Sequence, residues 1–406
     1  MGAAGRGRAG MTATAGVAAG SACPPGDAAA LLRALVRLDS RNPSLVPGAP
    51  GESAAAQRLR DVLAGWGFRV ELVEAAPGRP NVVARIGTGD GPTLMLNGHL
   101  DVVGTDGMTH APFDAAERDG RLYGRGATDM KGGVAAMCAA AWRAAQAGAL
   151  GGEVIVAAVA DEEWSSIGTR DLLERGVRAD AAVVTEPTRL AVCPAHRGFA
   201  WLEVTVQGRA AHGSRYDIGS DAILHAGLLL AELDLLEREV LPRRTHPLLG
   251  RASLHAGTIA GGVGLSTYPD RCVLTVERRT LPGESDEDVL REMRDASERV
   301  RARHPAFRAH VRVVGAQRPL DVPVDAPVVR ALEAALGEVG EPARVEGLSC
   351  WTDAALLADA GIPAVCFGPG DITLAHADEE WVTLDDVERA TRTLAALCAA
   401  WTNGRT

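Results

Sequence analysis

Two short runs made only of apolar residues place the strongest limit on how this chain folds. Residues 154–160 (VIVAAVA) and 181–184 (AAVV) contain no polar side chain, which is typical of strands that are buried on both faces. Helix-like segments at residues 132–146 and 169–175 precede them, one before each strand. Because strands that alternate with helices form parallel sheets, the sequence predicts an α/β domain with a central, mostly parallel sheet flanked by helices.

The pattern changes near residue 197. Residues 200–207 alternate between apolar and partly polar positions, which is typical of a strand with one face in solvent. The elements predicted from there are a strand at 200–207, a helix at 221–240, strands at 252–259 and 271–279, a helix at 286–303 and a strand at 309–314. The order β-α-β-β-α-β predicts a ferredoxin-like unit.

These changes predict three parts of the chain. Residues 1–25 are rich in Ala, Gly and Thr, and we expect a flexible leader there. Residues 26–196 and 317–406 are predicted to form the α/β domain, into which residues 197–316 are inserted as the ferredoxin-like domain.

Composition excludes several classes of protein. The chain has 406 residues, 47% of them hydrophobic and 23% charged, as in a globular protein. Its net charge of −10 argues against a nucleic-acid partner, because a phosphate backbone requires a basic surface. No apolar run approaches the ~20 residues that span a bilayer, so no membrane association is expected. The seven cysteines lack CxxC spacing, which fits a reducing compartment and a cytoplasmic location.

Five short segments place histidine or acidic residues after predicted strands or turns. They are GHLD (98–101), GRGATD (124–129), DEE (161–163), TEP (185–187) and AHAD (375–378). Ligands of open α/β sheets bind at the carboxyl ends of the strands. We therefore expect these segments to meet at one edge of the sheet.

The individual segments leave alternatives open. His99 and Asp101 project to the same side of a strand, so the Asp101 carboxylate could accept the spare ring N–H of a metal-bound His99, but a histidine at a strand end needs no metal. Glu162 and Glu163 are adjacent, and they are either solvated or held by a cation, since burying both alone is costly. Asp129 closes a glycine-rich turn that lacks the Gly-Lys-Ser/Thr ending of a phosphate loop.

Together, two histidines and three carboxylates form a ligand set suited to two divalent ions, zinc, cobalt or manganese. The five residues are His99, Asp129, Glu163, Glu186 and His376. Three carboxylates and one hydroxide balance the charge of two divalent ions, and such a pair generates a nucleophilic hydroxide near neutral pH. Glu162, left without a metal, could take the proton from that water and deliver it to a leaving nitrogen.

Seven motifs of the chain resemble those of a known family. The quoted motifs are GHLDVV, GRGATDMKGG, DEEWSSIGTR, TEPT, GRAAHGS, YPDRC and FGPGDITLAHADEEW, in this order. They resemble the dinuclear zinc metallopeptidases and deacylases that include acetylornithine deacetylase, succinyl-diaminopimelate desuccinylase, aminoacylase and glutamate carboxypeptidase. The resemblance covers about residues 28–400 and is nearest to acetylornithine deacetylase-like members.

The resemblance assigns a role to each predicted ligand. It implies that His99 and Glu186 bind one metal, that Glu163 and His376 bind the other, and that Asp129 bridges the two.

Three further features near the metals are implied in the same way. Asp101 is expected beside the metal-bound histidine, and Glu162 is expected to act as the general base. The peptide bond between Asp129 and Met130 is expected to be cis.

The inserted part resembles the lid and dimerisation domain of the family. By this resemblance His212 reaches the active site of a partner subunit and hydrogen-bonds the reacting oxyanion, although it could be a surface histidine in a turn. Arg279 is expected to bind a substrate carboxylate, with a surface ion pair as the alternative. Gly368 is expected in a turn near the substrate or in tight backbone packing, and Ser266 replaces the asparagine that is usual in the family.

The sequence thus predicts an enzyme that removes an N-acyl group, acetyl or similar, from a small amino acid such as N-acetylornithine. A dipeptidase or carboxypeptidase that uses the same two metals is the alternative. A third interpretation is a binding protein of the same family that has lost catalysis. Such a protein should lack Glu162 or a metal ligand, and none of these residues is missing. The expected partners are an N-acyl amino acid or dipeptide and a second copy of the chain.

Overall fold

Two large sheets organise residues 23–405, which are the residues that the computed structural model describes. The predicted leader lies outside the described residues except for positions 23–25. The strands of the described part, in chain order, are β1 (Arg69–Ala76), β2 (Arg79–Gly87), β3 (Thr93–His99), β4 (Ala116–Arg118), β5 (Arg121–Tyr123), β6 (Glu153–Val159), β7 (Ala181–Val184), β8 (Val192–His196), β9 (Gly198–Gln207), β10 (Thr245–His246), β11 (Gly250–Arg251), β12 (Ser253–Gly261), β13 (Arg271–Thr280), β14 (Arg308–Gln317), β15 (Leu320–Asp321), β16 (Val345–Leu348), β17 (Ala364–Cys366) and β18 (Trp381–Thr383). The α-helices of the same part are α1 (Ala28–Val36), α2 (Ser53–Gly65), α3 (Gly132–Gln146), α4 (Ile167–Glu174), α5 (Ala222–Leu235), α6 (Asp286–Arg303), α7 (Pro327–Glu338), α8 (Ala354–Asp359) and α9 (Leu384–Thr402).

The larger sheet has the strand order β1-β2-β6-β3-β7-β17-β8-β15, and β16 pairs with β8. The central strands β6, β3, β7 and β17 run parallel to one another, whereas the outer strands β1, β2 and β15 pair antiparallel. β7 is fully buried and β6 is buried except at its first residue, because helices such as α3, α9 and α8 cover this sheet. The predicted α/β fold with parallel strands at its centre is confirmed.

The parallel strands also explain where the site forms. Neighbouring parallel strands end at the same edge of a sheet, and β6, β3 and β7 are neighbours. His99 is the last residue of β3, residues 161–163 follow β6, and Glu186 follows β7.

The other large sheet has the order β12-β13-β9-β14, with every pair antiparallel. β9 and β13 alternate buried and more exposed residues, because one face of the sheet packs against α5 and α6. The apolar residues of this face form a second core, separate from that of the larger sheet. The order β9-α5-β12-β13-α6-β14 is the predicted ferredoxin-like arrangement. The domain boundaries at residues 196/197 and 316/317 stay a prediction, which the change of sheet between β8 and β9 supports.

Two features are among those of the fold that the sequence does not predict. Strands β18, β5 and β4 form a small sheet, and each has only three residues, too few to show a periodic pattern. The helix expected at 221–240 ends as an α-helix at Leu235 and continues as a wider helical turn over residues 236–240. Across residues 23–405, no helix combines the length and apolar character needed to cross a bilayer.

Candidate active site

Three buried side chains meet at the carboxyl end of β3. The Nε2 atom of His99 lies 3.0 Å from Oδ1 of Asp129 and 3.9 Å from Oε1 of Glu186. One ligand atom from each residue lies within 4.8 Å of the others, which is close enough for all three to bind one ion. Asp129 lies in the turn that precedes α3, and its peptide bond to Met130 is cis, as the resemblance implies.

A second group shares Asp129. The Nε2 atom of His376 lies 3.5 Å from Oδ2 of Asp129 and 3.0 Å from Oε2 of Glu163. Ligand atoms of these three residues also lie within 4.8 Å of one another. The two carboxylate oxygens of Asp129 therefore contact different histidines, which is the geometry that a bridging carboxylate requires.

The electrostatics of both groups favour cations. Burial raises the pKa of Glu186 well above its usual value, and the charge of Asp129 raises it further. Hydrogen bonds with Asp129 and Glu163 raise the pKa of His376 to about 11. Two imidazoles and three carboxylates are donors that divalent zinc, cobalt and manganese accept, and cations relieve repulsion among buried carboxylates. The donor set thus fits two divalent ions that share Asp129.

Asp101 makes a contact that differs from the expected one. The backbone carbonyl of Asp101, not its carboxylate, accepts from Nδ1 of His99 at 2.9 Å, and the carboxylate Oδ1 is 3.7 Å away. The carboxylate instead accepts from the backbone N–H groups of Glu162 (3.1 Å) and Glu163 (3.2 Å) and from Nδ2 of Asn42 (2.8 Å). Asp101 therefore orients His99 through its backbone, and through its side chain it fixes the loop that carries Glu162 and Glu163.

Glu162 differs from its acidic neighbours in its contacts. Its carboxylate accepts no hydrogen bond from the residues that the structure describes, although its backbone N–H is held by Asp101. Burial raises the pKa of Glu162 well above its usual value; the charge of His99 opposes this shift and that of Glu186 adds to it. A carboxylate that borders a cavity and has no protein donor is free to exchange a proton with a bound molecule.

Both groups open into one cavity of about 250 Å³. The lining residues are Asp129, Glu162, Glu163, Glu186, Arg279, Cys350, Trp351, Ile372, Ala375 and His376. Arg279 comes from β13 of the four-stranded sheet, and its Nε donates to Oε1 of Glu277. Its terminal nitrogens have no hydrogen-bond partner among the described residues, so they can bind a ligand carboxylate.

The remaining predicted site residues lie outside this cavity. His212 and Ser266 are exposed and close together: Gly213, next to His212, donates its backbone N–H to the carbonyl of Ser266 at 2.7 Å. Gly368 is buried, and a Cβ atom there would lie 2.6 Å from the carbonyl oxygen of Glu186. In this chain the Gly368 position allows close packing beside a predicted metal ligand.

Sequence reasoning misses buried residues that support the site, among them Asn42, described above, and Glu380. Glu380 accepts hydrogen bonds from the backbone N–H groups of Thr128 (3.0 Å) and Asp129 (3.1 Å), and it pairs with Arg125 at 2.7 Å. It therefore fixes the turn that carries the shared carboxylate. The only signal in the sequence is its place four residues after His376 in the quoted motif.

The chain also matches known proteins. Peptidase family M20/M25/M40 matches residues 95–400. The chain is 36% identical over 387 residues to an acetylornithine deacetylase of Myxococcus xanthus, which covers 93% of this chain and 98% of that protein.

Solved structures share the fold. An M20 family metallo-carboxypeptidase from Sulfolobus solfataricus matches with a TM-score of 0.78 at 18% identity, over 92% of this chain and 98% of that one. A dinuclear metal binding peptidase from Bacillus subtilis matches with a TM-score of 0.70 at 19% identity, over 91% of this chain and 96% of that one. The match to the family over most of the chain leads to one conclusion: the chain belongs to peptidase family M20/M25/M40.

Proposed function

We propose that this protein removes an N-acyl group, acetyl or similar, from a small amino acid. Membership of the family makes the chain a metallohydrolase of amide or peptide bonds, and the proposal concerns which bond it cleaves. The relative from Myxococcus xanthus, an acetylornithine deacetylase, supports an N-acyl substrate, with N-acetylornithine as an example. One observation carries the proposal of a hydrolytic site. The two carboxylate oxygens of Asp129 face two different ligand groups, and the unpaired carboxylate of Glu162 lies beside them.

The proposed cofactor is a pair of divalent ions, zinc first, with cobalt and manganese as alternatives. His99 and Glu186 would hold one ion, Glu163 and His376 the other, and Asp129 would bind both. When bound, such a pair lowers the pKa of water and polarises a carbonyl group.

Glu162 is the proposed general base. Its carboxylate takes a proton from the attacking water and later gives a proton to the departing nitrogen, so that the amide yields a carboxylic acid and an amine. Asp101 assists by fixing the backbone of Glu162 and Glu163, and through its carbonyl it holds the ring of His99.

Arg279 is the proposed contact for the substrate carboxylate, because it is the only cationic side chain of a lysine or arginine that lines the described cavity. An N-acyl amino acid and a dipeptide both present an amide next to a carboxylate, so a dipeptidase or carboxypeptidase is the second candidate. The family match and the metallo-carboxypeptidase neighbour favour that candidate as well.

A substrate panel tests this function. The purified protein is loaded with zinc, cobalt or manganese and assayed with N-acetyl amino acids including N-acetylornithine, with N-succinyl amino acids and with dipeptides. Faster hydrolysis of N-acyl amino acids than of dipeptides supports the proposal. The reverse preference would replace it with the dipeptidase function, and no hydrolysis of any member would refute both.

We further propose a cytoplasmic homodimer. Large apolar side chains are exposed along α5, β12 and the loop after β12, including Leu224 (68% exposed), Ile259 (53%) and Val263 (85%). β12 is also an edge strand, which can pair with another chain. A dimer would let His212 reach the site of the partner subunit. Light scattering tests this, since a fully active monomer would contradict it.

A further inference from the structure

Four aromatic side chains form a continuous row beside the cavity. The ring centroids of Trp351 and Phe199 are 6.3 Å apart, those of Phe199 and Trp201 are 4.5 Å apart, and those of Trp201 and Trp164 are 6.3 Å apart. Trp351 lines the cavity, and Trp164 directly follows the predicted ligand Glu163. Only 4% of the chain is aromatic, so four such residues at one edge of the site are more than composition explains.

Strand register fixes the middle of this aromatic row. Phe199 and Trp201 lie two residues apart on β9, and their partners on β13 are Arg279 and Glu277. Glu277 accepts from the indole N–H of Trp201 at 2.9 Å and from Nε of Arg279. On the other neighbouring strand, the absence of a side chain at Gly315 leaves room for the ring of Trp201, since a Cβ there would lie 3.1 Å from it. The aromatic row and Arg279 are therefore held as one unit.

None of these four side chains is fully buried. Phe199, Trp201 and Trp351 are half-buried, and Trp164 is 48% exposed. Each indole or phenyl ring therefore keeps apolar surface that a ligand can cover. Covering the surface of aromatic rings contributes strongly to binding.

The cavity has an uneven distribution of charge. All four of its acidic residues are already assigned, three to the metals and Glu162 to the proton transfer. The other lining residues are Arg279, Cys350, Trp351, Ile372 and Ala375. Within the described lining, no carboxylate is left to pair with a substrate ammonium group, whereas apolar surface is abundant. An ammonium group that enters such a site loses hydration without gaining a partner.

We propose that the preferred substrate amino acid carries an apolar or aromatic side chain and that the aromatic row binds it. The carboxylate and the side chain of an amino acid are both bonded to its Cα atom. The guanidinium of Arg279 lies 5.6 Å from the centre of the Phe199 ring, so a substrate whose carboxylate binds Arg279 places its side chain against Phe199 and Trp351. The inference rests on the proposed function and narrows it, from N-acyl amino acids in general to those with apolar side chains rather than the cationic chain of ornithine.

Matched substrates test the charge argument. N-acetyl-L-norvaline and N-acetyl-L-ornithine differ only in the terminal amine, and N-acetyl-L-phenylalanine adds a ring. We expect kcat/KM for norvaline and phenylalanine to exceed that for ornithine by at least about tenfold, since a pocket that lacks a partner for a polar group rejects it by this order or more. An equal or higher kcat/KM for the ornithine substrate would overturn the inference.

Variants test the aromatic row itself. Trp164→Ala and Trp351→Leu should each lower the ratio of kcat/KM for N-acetyl-phenylalanine to that for N-acetyl-alanine by about tenfold, mainly through KM. The matched control is Trp142→Leu, because Trp142 packs against Trp66 and belongs neither to the aromatic row nor to the cavity lining. Metal content and circular dichroism confirm that each variant is folded. An unchanged ratio in both row variants would contradict the assignment.

Binding separates this inference from the proposed function. Titration calorimetry with the slow Glu162→Gln variant, loaded with zinc, measures affinity without turnover. N-acetyl-phenylalanine should bind at least about tenfold more tightly than N-acetyl-ornithine. If the wild type hydrolyses no member of the panel but this affinity ratio holds, the hydrolytic function fails and the ligand preference stands. Equal affinities overturn the preference whether or not hydrolysis is observed.

Discussion

The region of the larger sheet and the region of the four-stranded sheet contribute to the site in different ways. All five predicted ligands and Glu162 come from the larger-sheet region. There Asp101 accepts from the backbone N–H groups of Glu162 and Glu163, and Glu380 accepts from that of Asp129. The four-stranded region adds Arg279 to the cavity and leaves His212 exposed. The larger-sheet region thus supplies the ligand groups, whereas the four-stranded region supplies one cationic side chain to the cavity and carries the exposed residues on which the proposed dimer rests.

Loss of the proposed general base in the larger-sheet region should have the strongest effect on catalysis. Glu162→Gln should lower kcat by about a thousandfold, because the amide cannot take the proton from water. Metal content, measured by mass spectrometry, should stay at the wild-type value, since Glu162 belongs to neither ligand group. A variant that keeps kcat within tenfold of the wild type would remove Glu162 from the mechanism.

The next prediction concerns His212, in the four-stranded region. His212→Ala should lower kcat by about a hundredfold or more if His212 stabilises the oxyanion, with metal content unchanged. Because His212 lies outside the cavity of its own chain, it should act on a partner subunit. Mixing the inactive His212→Ala and Glu162→Gln proteins under conditions that exchange subunits should therefore restore activity. No recovery from dimers shown to contain both chains would mean that His212 does not act on the partner subunit, and an unchanged kcat in His212→Ala alone would place it outside the mechanism.

The sequence predicts the chemistry of the site better than its supports. Each predicted ligand sits in a short motif. The motifs of His99, Glu163 and Glu186 stand at the ends of neighbouring parallel strands, whose common direction brings these three residues together. The contacts of Asn42 with Asp101 and of Glu380 with Asp129 join residues 59 and 251 positions apart. Local patterns carry no information on such contacts.

The same limit applies to the exact atoms involved. Spacing places Asp101 beside His99, but the choice of its carbonyl over its carboxylate depends on where the loop of residues 161–163 settles. The aromatic row depends on the register between β9 and β13 and on how the four-stranded sheet meets Trp351. None of these is encoded in a repeat or a motif.

The junction between the two regions gives a prediction for stability. His196 ends β8, just before the chain enters the four-stranded sheet, and burial lowers the pKa of its imidazole to about 4. Between the usual value of 6.5 and about 4, the unfolded chain takes up a proton that the folded protein does not. The free energy of unfolding should therefore fall as the pH falls, by about 3 kcal/mol between about pH 7 and about pH 4 from this group alone.

Urea denaturation of the wild type and of His196→Gln at both pH values measures this contribution as a difference. Other titrating groups are common to the two proteins and cancel. We expect the variant to lose less stability on acidification by about 3 kcal/mol. Equal losses in both proteins would mean that His196 does not limit the acid stability of the junction.

A weaker effect is expected at Glu380, which supports the metal groups within the larger-sheet region. Glu380 contacts no ligand atom of a metal group; it holds the backbone N–H groups of Thr128 and Asp129 and pairs with Arg125. Glu380→Gln keeps the shape but replaces one acceptor oxygen by a donor. Metal affinity should therefore fall by about 10- to 100-fold, as is usual when a support of a metal ligand is lost.

The exposed neighbour provides the control, since Glu379→Gln should leave affinity unchanged. If the two variants bind zinc equally well in competition with a chelator, the turn at Asp129 is fixed by packing alone, and the buried hydrogen bonds are not what separates this region from the more exposed one.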